Sequence, residues 1–344
     1  MCALFCSGVG VCAQWVAQRS GVAVRLRGVS AVSSRVAWAS GDKGTYARTT
    51  DGGKTWRAGK VAGAEELDFR DVDAFDADTA YLLSIGAGAL SRIYKTTDGG
   101  AHWSLQFTNP NPEAFFDAMA FWDAAHGIAL SDPVKGRFHL VQTSDGGKTW
   151  RALRADGMPP ALEGEAAFAA SGTCITVGGR ERVWFGTGGG ARARIFHSSN
   201  RGRTWEVFDT PIIAGGASAG IFSVAFRSAR HGVIVGGDYK QETETRLNAA
   251  RTGDGGRTWQ LVENSRPRGF RSGVAYVSHL RRALLVAVGP SGADYSDDDG
   301  RTWHNASGTE GFHSLSFARV SGAGWAVGEQ GRTARYAGAS RRRN

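Results

Sequence analysis

The chain has 344 residues, 49 of them glycine and only 8 proline, with 41 basic against 32 acidic side chains for a net charge of +9. Three of the four cysteines fall within the first 13 residues and only Cys174 lies in the body, which excludes an internal disulfide framework and a cysteine-based zinc cluster. No later segment is long and apolar enough to span a bilayer, and no basic run is interleaved with aromatics as in a nucleic-acid groove, so neither partner is expected.

Residues 1–13 form an uncharged apolar run ending in Val11-Cys12-Ala13. It resembles the core and small-residue cleavage site of a secretory signal, without the usual basic start. The expectation is an apolar leader over 1–13, a single domain over 14–338, and a solvated basic tail over 339–344. A periplasmic or secreted location follows from the leader.

The body repeats one octapeptide six times. It first appears as Thr49-Thr50-Asp51-Gly52-Gly53-Lys54-Thr55-Trp56. Later copies are centred on Asp98 and Trp103, Asp145 and Trp150, Asn200 and Trp205, Asp254 and Trp259, and Asp298 and Trp303. The closing tryptophans lie 44 to 55 residues apart, a period typical of propellers and solenoids. The acidic side chain is placed to accept backbone N–H groups after it, glycine supplies positive φ, and the tryptophan folds over the turn. A structural role is therefore expected at all six copies. Asp297-Asp298-Asp299 lacks the ligand spacing of a calcium loop, and no metal is expected.

Each octapeptide is preceded by apolar segments. First strands are read at residues 26–29, 69–72, 116–121, 166–168, 222–226, 273–276 and 314–317. A second strand, a glycine-rich loop and a third strand ending in the octapeptide follow, and a fourth strand leaves from its tryptophan. Seven first strands and six octapeptides predict an all-β, seven-bladed β-propeller of four-stranded antiparallel blades. Residues 14–18 read like the strand that elsewhere follows an octapeptide, so the N-terminal strand is expected to complete the last blade and remove the open edges.

The octapeptide is identified as an Asp-box, and the chain resembles the BNR-like repeat propellers: sialidases, sortilin-like receptors, and photosystem II assembly and stability factor-like proteins. "TTDGGKTW" at a spacing near 47 looks most like the last group, from about Trp15 to Tyr336. That resemblance implies a non-enzymatic, exported scaffold that docks a protein partner. The alternative is a sialidase-like glycoside hydrolase, with a propeller oxidoreductase third. Neither cofactor nor quinone is expected.

Function is expected on the face opposite the Asp-boxes, since loops on a rigid scaffold commonly carry it. Candidates there are Arg70, Asp71, Asp117, Asp132 with Lys135 and Arg137, and Arg180 with Arg182. Arg192, Arg194, Asp238, Tyr239 with Lys240, Arg271, His313 and Glu329 complete the set. The loop from Gly186 to Arg194 combines glycines and two arginines in a way that suits an anion. Together these predict an Arg-rich surface for an acidic protein segment, or for a small carboxylated ligand. Arg70, Arg137 and Arg271 are the cations a sialidase reading would use, with Tyr239 and Glu242 as its weakly matched nucleophile pair. Gly216-Ala217-Ser218-Ala219-Gly220 matches a nucleophile motif but lacks the flanking strand and helix. His126 and His231 recur in equivalent phrases and read as turn-builders.

Overall fold

A computed structural model describes residues 11–277, 283–306 and 309–341. The described chain forms seven four-stranded antiparallel sheets, and helix is confined to three short 3-10 turns. Blade one shows the plan: Leu26–Ala31 innermost, then Ala37–Gly41, Thr45–Thr49 and Arg57–Lys60 at the rim. The inner three strands are largely buried because each sheet face packs on the next blade. Trp38 and Trp184 are sealed in such interfaces.

The ring closes through the N-terminus. Phe312–Phe317, Gly324–Gly328 and Arg332–Arg341 supply three strands of blade seven, and Val11–Arg19 pairs antiparallel with the last as the rim strand. Trp15 lies 5.4 Å from Tyr336 and 6.1 Å from Phe312 between ring centroids, so closure also buries aromatic surface. The strand begins at Val11 rather than after residue 13, and its partner runs to Arg341, so both expected domain edges fall inside paired strands. Residues 1–10 and 342–344 of the expected leader and tail lie outside the described residues.

All six repeated turns share one hydrogen-bond pattern. In the first, the Thr49 hydroxyl accepts the Gly53 N–H at 2.8 Å and donates to Asp51, whose carboxylate accepts the N–H and hydroxyl of Thr55. Gly53 sits at φ 83°, a conformation that a Cβ resists. Asn200 serves in the fourth copy, accepting the Thr204 N–H through its amide oxygen. In blades one to five each of these turns packs beside the turn joining strands one and two; Gly52, for instance, donates to the Arg35 carbonyl.

One expected strand is displaced. The inner strand of blade four is Ile175–Gly178, not residues 166–168. Ala166 forms an isolated bridge to Gly188, and Phe168 stacks on Phe222 at 4.0 Å, so this apolar segment covers the end of the channel rather than lining it.

Candidate functional site

The channel end away from the repeated turns opens into a cavity of about 570 Å³. A β-bulge builds much of it. In blades one, two, three, five and seven, the register between the first two strands slips by one residue, at Arg27, Arg70, Asp117, Phe222 and His313. All five line the cavity. A bulge inserts one unpaired residue and re-aims its side chain, so the same irregularity in five blades delivers five side chains to one place.

The side from blades seven, one and two is cationic. Arg70 pairs with Asp68 at 2.7 Å and donates to the Ala169 carbonyl. Arg25 lies 3.3 Å from Asp42. Arg27, only 9% exposed, donates to the Ala170 carbonyl at 3.0 Å and has no carboxylate partner among the described residues. Burial, with Arg70 and Arg25 close by, pushes its pKa down to about 9. His313 contacts Glu329 at 2.5 Å, yet burial and Arg27 hold its pKa down to about 4, so the imidazole is neutral at pH 7.

The opposite side is aromatic and acidic. Phe115, Phe168, Phe222 and Phe270 line it, with Tyr239 44% exposed at the rim. Asp132 accepts the Ala167 N–H at 2.8 Å, and burial pushes its pKa up to about 6. Asp117 is 1% exposed, and its Oδ2 has no hydrogen-bond partner among the described residues. Burial and the adjacent Asp132 raise its pKa well above the ordinary carboxylate range.

Of the expected residues, Arg70, Asp117, Asp132, Tyr239, His313 and Glu329 therefore share this cavity. Arg137 stands in the hairpin of blade three on the same face, and Asp238 caps the Lys240 N–H there, but neither lines the cavity. Arg192 is exposed and paired with Asp209. The rest are corrected by the structure. Arg180 and Arg182 flank the turn between the first two strands of blade four, and the Arg201 side chain of the repeated turn binds the Arg180 carbonyl, so they lie on the other face. Asp71 is a buried clasp accepting the Met119 N–H of the next blade at 2.7 Å. Arg194 is buried against Glu165. Arg271, 0% exposed, is locked to Asp294 and three further oxygens, so it offers nothing to a ligand.

The glycine-rich loop is likewise no anion cradle. Gly188 and Gly189 donate their N–H groups to Ala166 and Ala219 carbonyls, and a Cβ on Gly188 would sit 2.4 Å from Ala219 O. His126 and His231 bind Asp123 and Ser228 of their own turns. Sequence reasoning missed Arg25, Arg27 and the phenylalanines of blades four to six. A signal for Arg27 exists, since Leu26-Arg27-Gly28 occupies the place of Phe69-Arg70-Asp71 and Phe116-Asp117-Ala118 in the repeat.

Fold and cavity together define a seven-bladed propeller that gathers charged and aromatic side chains at one end of its channel. Solved structures of this class are similar across nearly the whole chain. "YCF48 bound to D1 peptide" matches at 18% identity and TM-score 0.63, covering 97% of this chain and 99% of that one. YCF48 from Cyanidioschyzon merolae matches at 17% identity and TM-score 0.61, covering 94% and 98%. An ancestral GH74 enzyme matches at 14% identity and TM-score 0.63, covering 93% of this chain but 46% of that one. At these identities the likeness is one of fold. No family model matches the chain. No curated protein matches it either. Among the described residues, no group of three or more metal-ligating side chains is present, and no helix is long and apolar enough to cross a membrane.

Proposed function

We propose that this protein is a non-enzymatic scaffold that docks an acidic segment of a protein partner in the cavity opposite the repeated turns. The observation that carries this reading is Arg27. A buried guanidinium without a carboxylate is costly, and a ligand carboxylate entering the cavity offsets that cost with charge-assisted hydrogen bonds. Arg25 and Arg70 add to the local positive potential. The similar fold of a YCF48 described as bound to a D1 peptide supports a peptide as the occupant. Export to the periplasm or beyond the cell is proposed on the apolar leader alone.

Fluorescence anisotropy with a labelled acidic hexapeptide tests the reading. Arg27→Gln is expected to weaken binding about tenfold or more, as loss of a charge-assisted contact does. Arg192→Glu, outside the cavity, should leave it unchanged. Equal affinity for the wild type and Arg27→Gln would refute the assignment.

A hydrolase reading draws on Asp117 and Asp132 standing together in a cavity that also holds Tyr239 and Glu242. Two features weigh against it. Tyr239 and Glu242 share no side-chain hydrogen bond, and Arg137 and Arg271 do not line the cavity with Arg70. Turnover of a fluorogenic sialoside that is lost in Asp132→Asn would reinstate it.

A further inference from the structure

We infer that the cavity holds a second, cation-accepting subsite, built by Asp132, Asp117, Phe115 and Phe168, that takes the ammonium or guanidinium head of a lysine or arginine in the docked segment. The inference rests on the reading of this cavity as a peptide-docking site, and it assigns the other charge on the peptide.

The subsite follows from local geometry. Asp132 is held between two aromatic segments, its N–H donating to the Phe115 carbonyl at 2.9 Å and its Oδ1 accepting the N–H of Ala167, next to Phe168. Both rings are half-buried and line the cavity with it. Behind them stands Asp117, nine-tenths buried and more, with one carboxylate oxygen unpartnered among the described residues. A buried acceptor without a donor leaves a desolvation cost that a ligand donor relieves.

No described residue supplies that donor. Arg70, whose charge acts on Asp117, is already committed to Asp68 and to the Ala169 carbonyl. The Asp132 carboxylate, sharing the cavity with the Phe115 and Phe168 rings, favours an organic cation, because charge pairing and cation–π attraction act on the same group. An inorganic ion would leave those faces unused. The cavity is thus polarised, with Arg27 on one side for an anion and Asp132 on the other for a cation, which fixes the direction in which a peptide bearing both charges lies.

Titration calorimetry with agmatine, which carries a guanidinium and an ammonium but no carboxylate, tests the subsite separately from the anion reading. Wild type is expected to bind agmatine about tenfold or more tightly than does Asp132→Asn, whose amide oxygen still accepts the Ala167 N–H. N-butylurea, neutral and similar in shape, should bind far more weakly to the wild type, a comparison that needs no variant. Equal agmatine affinity in wild type and Asp132→Asn, or equal affinity for agmatine and N-butylurea, overturns the inference. Arg192→Glu, outside the cavity, should leave agmatine binding intact, whereas Arg27→Gln weakens the acidic hexapeptide. If agmatine binds as expected and the hexapeptide does not bind wild type, the anion reading fails and the cation subsite stands.

Discussion

Arg271 and Asp294 form an ion pair wholly withdrawn from solvent. Nη2 stands 2.6 Å and Nε 2.8 Å from the same carboxylate oxygen, and the remaining guanidinium donors reach the carbonyls of Phe270 and Arg268 and the hydroxyl of Ser291. The pair ties the segment leading into the first strand of blade six, Gly273–Tyr276, to the third strand, Gly292–Ser296. Arg271 stands where blade one has Leu26, and Ser272 where it has Arg27, so the two arginines have opposite fates. One is consumed by the fold, and the other is left facing the cavity.

Arg271→Met is therefore expected to destabilise the fold by about 3–5 kcal/mol, because Asp294 remains as an uncompensated buried charge. Urea unfolding measures this. Pairing the change with Asp294→Leu should recover much of the loss, since a buried pair replaced by apolar groups of similar volume is often neutral. A single variant within 1 kcal/mol of wild type, by roughly the scatter of exposed pairs, would mean that the pair is not sealed.

Gln18 latches the N-terminal strand to both of its neighbours. Its amide oxygen accepts the indole N–H of Trp56 at 3.1 Å and that of Trp325 at 3.2 Å, and its amide nitrogen donates to the Gly52 carbonyl. Gln18→Leu strands three polar groups and should cost about 1–3 kcal/mol. Val16→Thr, on the exposed side of the same strand, should be nearly silent in the same unfolding assay. Equal stability of the two variants would argue against a latch at the closure.

The repeated turns make stability fall in acid. Hydrogen bonds from the Thr149 N–H and hydroxyl hold the Asp145 pKa down to about 2, and the Thr55 hydroxyl and N–H do the same for Asp51. A carboxylate with a lowered folded pKa stabilises above its unfolded value near 4 and loses that contribution as pH falls towards 2. Asp145→Asn copies what blade four does naturally with Asn200. The variant should melt below wild type at pH 7 and converge with it near pH 2. A constant difference across that window would exclude the linkage.

Asp71 works in the other direction. Burial pushes its pKa up to about 8, with Asp73 adding to the effect. Its stabilising contribution is fully present below the unfolded value near 4 and is lost as pH rises towards 8. Asp71→Asn keeps an acceptor for the Met119 N–H and removes the charge. Relative to that variant, wild type should lose melting temperature steadily between pH 4 and 8 and no further above 8. Parallel curves would show that Asp71 is ionised at no cost.

The sequence alone determined the seven blades, the closing N-terminal strand and the build of the repeated turns. Each depends on interactions within a few residues, such as Thr49 with Gly53 and Asp51 with Thr55, or on apolar patterning that recurs at a fixed interval. Part of the cavity was also legible, through Arg70, Asp117, Asp132, Tyr239, His313 and Glu329. Tertiary structure decided which of the remaining charged residues are free. Arg194 and Arg271 read as free cations in the chain, but their partners Glu165 and Asp294 lie 29 and 23 residues away and meet them only in the folded blades. It also decided orientation. A one-residue bulge determines whether a side chain enters the sheet or the cavity, and a strand read at 166–168 instead of Ile175–Gly178 moved Arg180 to the wrong face. Both outcomes turn on register and long-range pairing, which packing selects after the local pattern has been satisfied.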